Sequence, residues 1–406
     1  MKTPKRILMV MPSFPYPESG AEQIDRACGI RQLVRLGYEV TVIAKVVEWA
    51  DRNALEVAAE NMGVRATFVP YRYSNRRRSW REKIFGQFGK LRNPLFFDGA
   101  AYEFAESGMK KAVAHELDNF KPDIVWFEYT YLWPLYGMVH TRDISIVTRS
   151  ANFEPEHFLE EDGRTIINYV KYIPKFLGER IMLRLSDAVF AITPKEKAVY
   201  ERLGAKNVFV LPLRGLPPLV NMPRQAVVDQ VPLHVVFMGS SYAVVHNRKA
   251  AEFLVQEIIP SIQKHAPGAF VFHITGAKLP PELAEKAVHV GCRYEGYVPN
   301  LGEFLSHIDI ALIPSLYGAG MQQKVFEPIS RGIPTITSPR AIAGYPFESE
   351  KHYKGAVTAV EYVNALLSLR STEVRLGMSS AASHESVRLF SRETLDAIVQ
   401  NAIAHL

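Results

Sequence analysis

Short apolar runs alternate with amphipathic stretches along the chain. Residues 6–11 (RILMVM) are apolar at every position after Arg6 and read as a buried strand. Over residues 21–36, Ile24, Ala27, Cys28, Leu33 and Leu36 fall toward one side of a helix. Gly37 ends that helix, and 39–44 (EVTVIA) return as a strand. A strand–loop–helix–strand unit of this kind belongs to a parallel sheet. The pattern recurs, with a helix over about 101–119 before a strand at 123–127, then a strand at 145–148. A long helix over 166–185, a strand at 188–192, a helix at 195–203 and a strand at 207–211 follow.

Residues 212–232 break the rhythm with Pro212, Pro217, Pro218, Pro223 and Pro232. Proline lacks the N–H that a sheet ladder needs, so this span predicts a linker. Alternation then restarts with a strand at 233–238, a helix at 247–264 and a strand at 270–275. Further strands are expected at 308–313 and 333–337, a helix over 321–331 between them, and a tail from about 358 that is helical in three pieces. The prediction is an α/β protein of two doubly wound, Rossmann-like domains, 1–211 and 233–389, facing each other across a cleft. Ligands of such sheets lie at the carboxyl ends of the strands.

The length of 406 residues exceeds one ordinary core and agrees with two domains. Cys28 and Cys292, the two cysteines, are far apart in sequence, which favours a reducing compartment. The apolar run 7–11 is too short for a secretion signal, and no uncharged run reaches spanning length, so a cytoplasmic location is expected. The net charge of +6 suits nucleic acid, anionic lipid or phosphate-bearing substrates equally. No Gly-x-Gly-x-x-Gly follows the first strand, and no Walker A, His-Glu-x-x-His, Asp-x-Asp or Gly-x-Ser-x-Gly sequence occurs. Nicotinamide binding, a P-loop, a metal site and a serine elbow are therefore unsupported, and no cofactor or metal is expected.

The chemistry concentrates in 317–337 (YGAGMQQKVFEPISRGIPTIT). Gly318 and Gly320 let backbone approach a ligand closely. A helix starting near Met321 aims free N–H groups and its positive dipole end at that loop, which suits a diphosphate. Gln323, Lys324 and Glu327 share a helix face by their spacing of three and four. Lys324 can neutralise phosphate charge, and Glu327 can accept hydrogen bonds from a pair of sugar hydroxyls.

This stretch resembles the donor-binding motif of glycosyltransferase family 4, in its polysaccharide-biosynthesis variety with Gly-x-Gly-hydrophobic-Gln-x-Lys-Val-x-Glu. Ser186–Val189, Val236–Ser240, Glu295–Val298 and His307–Pro314 resemble other strands of that family. The resemblance implies the GT-B fold, with the last helix, 390–406, crossing back to the N-terminal domain. It also implies transfer of a sugar from a nucleotide-sugar co-substrate to a glycan or lipid-linked acceptor, with retention of configuration. Lys324 and Glu327 are then the catalytic candidates, and Glu327 matches the glutamate that binds the donor ribose. The earlier glutamate of the family's pair falls at Ala319. The family's diphosphate-holding Arg position after the first C-domain strand, near Gly239, is Ser240, and the nearest cations are Arg248 and Lys249. Ser19-Gly20 stands where the family has Gly-Gly, and Gly20 would approach the diphosphate; a plain helix N-cap glycine is an equal reading. Thr148–Glu154 resembles the subgroup's His-Asn-x-Glu with Ala151 in place of histidine. Asn152 and Glu154 are left as acceptor-side candidates, or as a turn residue and a solvated acid.

Residues 71–92 carry eight Lys/Arg and one acid, Glu82, with Trp80, Phe85 and Phe88 between them. This suits anionic lipid at the inner face of the plasma membrane, or a solvated helix; no nucleic-acid motif accompanies it and no nucleic-acid partner is expected. The stretch 166–184 is a weaker second candidate for lipid contact, with core packing the favoured reading. Two rival functions remain. One is a sugar-nucleotide epimerase of the same fold. The other is a non-catalytic, degenerate transferase acting as a nucleotide-binding partner, a reading that Ala319, Ala151 and Ser240 keep open.

Overall fold

The computed structural model describes residues 4–71, 88, 90–220, 228–315 and 321–406. They form two compact units, Met1–Gly215 with Leu395–Leu406, and Leu216–Thr394.

The first unit is built on a seven-stranded sheet. Its strands are β1 (Arg6–Met11), β2 (Glu39–Val46), β3 (Arg65–Pro70), β4 (Ile124–Phe127), β5 (Ser145–Arg149), β6 (Ala188–Ala191) and β7 (Val208–Val210). They lie in the order β3-β2-β1-β4-β5-β6-β7, all pairs parallel. The apolar run of β1 shows no alternation because both faces are covered. Ile7, Met9 and Met11 enter one core with Ala27, Ile30 and Leu33, while Leu8 and Val10 enter another with Phe127 and Tyr136. The first of these cores also takes Leu395, Val399, Ala402 and Ile403 from the last helix, Arg392–Ala404.

The second unit has β8 (Leu233–Ser241), β9 (Phe270–Ala277), β10 (Cys292–Gly296), β11 (Ile310–Ile313), β12 (Thr335–Thr337) and β13 (Lys354–Gly355). Their order is β10-β9-β8-β11-β12-β13, again parallel. In each sheet the strand order reverses beside the first strand, between β1 and β4 and between β8 and β11. Such switch points are where open α/β sheets bind ligands.

Three expectations change. The helix read over 101–119 is two helices, Gly99–Phe104 and Ser107–Asn119. The helix read over 247–264 widens into a π-turn at Leu254–Ile258. Pro260 lies just beyond it and cannot donate to the carbonyl four residues back, which accounts for the break. Core packing of 166–184 holds on one side only: Met182 and Leu183 enter the core with Phe176 and Ile181 against it, while Ile166, Val170, Ile173 and Leu177 of the helix Ile166–Leu185 turn outward.

Candidate active site

The helix Gln323–Ser330 follows β11 and the glycine loop. Its amino end is pinned by the Tyr345 hydroxyl, which donates to the Gln322 carbonyl at 3.2 Å. Phe326 stacks on Tyr345 and meets Phe390 edge-on, which fixes the helix against its neighbours. Lys324 is thereby held at the switch point of the second sheet. Its Nζ donates to Ser315 Oγ at 2.8 Å, just beyond β11, and to Asn247 Oδ1 at 2.9 Å, in the first turn after β8. Asn247 is itself fixed by its amide, which donates to the Ser241 carbonyl at 3.1 Å. Two of the three ammonium N–H groups are thus used within the unit, and one is left for a ligand. Burial pulls the Lys324 amine down to about 8. The group stays largely protonated at neutral pH, and a bound anion would favour the charged form further.

Glu327, one turn on, is buried and accepts from Arg331 Nη2 at 3.2 Å. Gln322, the N-cap of this helix, has no hydrogen-bond partner for its side-chain amide among the described residues. Ser315, Asn247, Gln322 and Arg331 escaped the sequence reading. The signal for the first two was positional, since each follows a strand that flanks the switch point.

Gly318 and Gly320 lie outside the described residues, as does the side chain of Gln323. Met321 precedes the helix. Gly239 has a packing reason for being glycine: a Cβ there would sit 2.6 Å from the Tyr242 ring. Arg248 is half-exposed, with its Nε 3.8 Å from Glu252.

In the first unit Gly20 caps the helix Ala21–Arg35 with φ 81°, a conformation that side chains disfavour. The loop before it is held by Arg26 and Gln23, which donate to Ser13 Oγ at 2.7 and 3.2 Å. Glu154 opens the helix Glu154–Asp162, just after β5, and Asn152 offers its carbonyl to the Ser150 hydroxyl at 2.9 Å. Glu154 lines a small cleft of about 10 Å³, room for about one water, with Asp98, Thr130, Trp133, Lys175 and Glu179. Burial raises the Glu154 carboxyl, against the pull of Lys175 and His157, and raises Glu179 to about 8 although Thr130 donates to it at 2.6 Å. Glu179 Oε2 and the Trp133 indole N–H have no hydrogen-bond partner among the described residues. A protonated Glu179 and the indole are donors, and Glu154 an acceptor, beside space that a hydroxyl can fill.

Residues 232–369 match the family model described as Glycosyl transferases group 1. Two similar solved structures are HepE from Anabaena in complex with UDP (TM-score 0.67, 13% identity, 99% of this chain and 100% of that one) and TarM (0.67, 11%, 98% and 99%). The fold is GT-B. The Rossmann-like units and the resemblance read from 317–337 agree with it. A putative UDP-N-acetylglucosamine 2-epimerase from Listeria monocytogenes is also similar (TM-score 0.56, 12% identity, 99% of this chain and 96% of that one). GT-B architecture alone therefore does not separate transfer from epimerisation. No curated protein matches the chain in sequence.

Proposed function

We propose that the chain transfers a sugar from a uridine diphosphate sugar to a glycan or lipid-linked acceptor, in the synthesis of cell-surface polysaccharide or glycoconjugate. The observation that carries this reading is Lys324, a buried ammonium held between Asn247 and Ser315 at the carboxyl ends of β8 and β11. Fixed positive charge in a dry site favours a group on which negative charge grows, as on a departing diphosphate. Glu327 binds the ribose hydroxyls. Configuration is retained: the acceptor hydroxyl attacks on the face the diphosphate leaves, and its proton passes to the departing phosphate oxygen. Ala151, at the place of the family's histidine, supplies no base. No bound metal is needed, because Lys324 and the N–H groups opening its helix carry the charge. The cleft at Glu154 holds a hydroxyl of the acceptor, and the basic span 71–92 meets the membrane's inner face.

The test is product analysis by proton NMR with a UDP-sugar panel and chelator present. A retained linkage is expected. An inverted linkage, or activity lost to chelator and restored by Mg²⁺ or Mn²⁺, overturns the mechanism; an epimerised donor without acceptor favours the epimerase.

A second prediction separates the two acids. Glu327→Gln keeps an acceptor for Arg331 but loses the charge that meets the donor, so its donor affinity should fall by roughly 1.5–3 kcal/mol, about ten- to a hundredfold in Kd. Glu154→Gln should bind the donor like the parent. Calorimetry decides, and unchanged donor affinity in Glu327→Gln would remove the ribose assignment.

A further inference from the structure

The helix Ile166–Leu185 is apolar on its outward side as well as on its inward one. Its inward side carries Asn168, Pro174, Gly178, Glu179, Met182 and Leu183, with Phe176, Ile181 and Leu185 packed against the core. The polar members are engaged there: Asn168 donates to the carbonyls of Asp162 and Gly163 at 2.9 and 2.8 Å, and Glu179 accepts from Thr130. Its outward side carries Ile166, Val170, Ile173 and Leu177, at 85, 64, 56 and 43% exposure. Steps of four, three and four keep these on one line along the helix. Ile167 and Tyr169 flank the line at its start and are also exposed. The same line continues through Arg180 and Arg184, both exposed, while Lys171 and Arg164 lie exposed beside its apolar part. The exposed acids among the described residues nearby are Glu156, Glu160 and Asp162, all on the neighbouring helix Glu154–Asp162, and Glu156 acts on Tyr172. Among the described residues no helix is long and apolar enough to cross a membrane.

We propose that this face lies flat on an anionic lipid surface, with Ile166, Val170, Ile173 and Leu177 in the acyl boundary and the cations at the headgroup phosphates. An apolar stripe of this extent is unusual on a free surface. Its pairing with basic residues and an edge tyrosine is the pattern of a helix lying in the interface plane. Charge argues for lipid over a second copy of the chain. The cations lie on this helix and the exposed acids only on its neighbour, so two copies of this face would set Lys171, Arg180 and Arg184 against one another, whereas lipid phosphates answer them. The inference deepens the membrane part of the proposed function, but it rests on different residues from 71–92.

The experiment is co-sedimentation of the full chain with phosphatidylglycerol–phosphatidylcholine vesicles and with pure phosphatidylcholine vesicles. Val170→Glu with Ile173→Glu should lower binding to the anionic vesicles at least about tenfold. Because both positions are exposed, circular dichroism melting should match the parent. Parent binding should weaken, but not vanish, as salt rises. Binding of the double variant equal to the parent overturns the proposal, as does a parent that binds neither vesicle. A variant that loses self-association in analytical ultracentrifugation, with vesicle binding intact, assigns the face to a second copy instead. Replacing Arg76, Arg77, Arg78 and Arg81 with Gln tests the other span separately. If that set alone abolishes binding, helix 166–185 is excluded; if that set changes nothing, 71–92 is.

Discussion

Lys324→Ala is expected to lower turnover by about 10²–10³, the usual cost of losing one preorganised donor where charge develops. The fold should survive it. Burial lowers the Lys324 amine from 10.5 to about 8, so the folded state holds this proton less tightly than the unfolded chain does. Stability owed to this group therefore rises with pH from about 8 to about 10.5 and is at its least at neutral pH. Lys324→Met should accordingly melt no lower than the parent at neutral pH while losing activity. The same amine sets a pH limb. The ammonium is the form that meets the diphosphate, so kcat/KM should fall as pH rises through about 8, and Lys324→Arg should abolish that fall because a guanidinium stays charged. A profile flat to pH 10 in the parent would dissociate Lys324 from the donor.

Asp25→Ala should cost the first unit about 3–5 kcal/mol, the range for breaking a buried ion pair and leaving charge uncompensated. Asp25 is buried on the helix Ala21–Arg35, where Arg149 donates to it at 3.3 and 3.2 Å and Arg214 at 2.7 Å. Arg214 also donates to Glu128 at 2.7 and 2.9 Å. Burial pushes the Asp25 carboxyl up, yet the two guanidiniums overcome it and hold the carboxyl well below the usual range. Gly29 is glycine because a Cβ would lie 2.0 Å from Arg214 Nη1. The measurement is urea unfolding followed by tryptophan fluorescence. Trp49, Trp80, Trp126 and Trp133 all precede residue 216, so the signal belongs to this unit. A midpoint unchanged from the parent would mean that the network contributes nothing net.

The strands with unbroken apolar runs were legible, since RILMVM and LHVVFM have both faces buried in parallel sheets. β3 was not: Arg65 and Thr67 interrupt it, and its residues are mostly half-buried at the sheet edge. That Lys324 and Glu327 lie on one helix was legible, because their spacing of three is helical. Asn247 was not, because its role depends on β8 and β11 being neighbours although about seventy residues separate them, and adjacency across a switch point leaves no local trace. The helix Ile166–Leu185 misled for a physical reason. Periodicity reports that a helix has an apolar side, and it does not say whether that side meets protein. The buried network around Asp25 was invisible, since its members come from four distant stretches of chain.

The last helix has a bearing on how the chain is made. Leu395, Val399, Ala402 and Ile403 complete the core formed by β1, β2 and the helix Ala21–Arg35. Gln32 and Arg35 of that helix donate to Asp396 at 3.0 and 2.6 Å. During synthesis these residues emerge after the whole of Leu216–Thr394. The first unit therefore waits, with an apolar face uncovered, while the second is translated and free to fold. An N-terminal fragment ending near residue 215 would carry that uncovered face permanently. Supplying the helix Arg392–Ala404 as a separate peptide, or joining it ahead of β1 by circular permutation, is the route to the isolated unit.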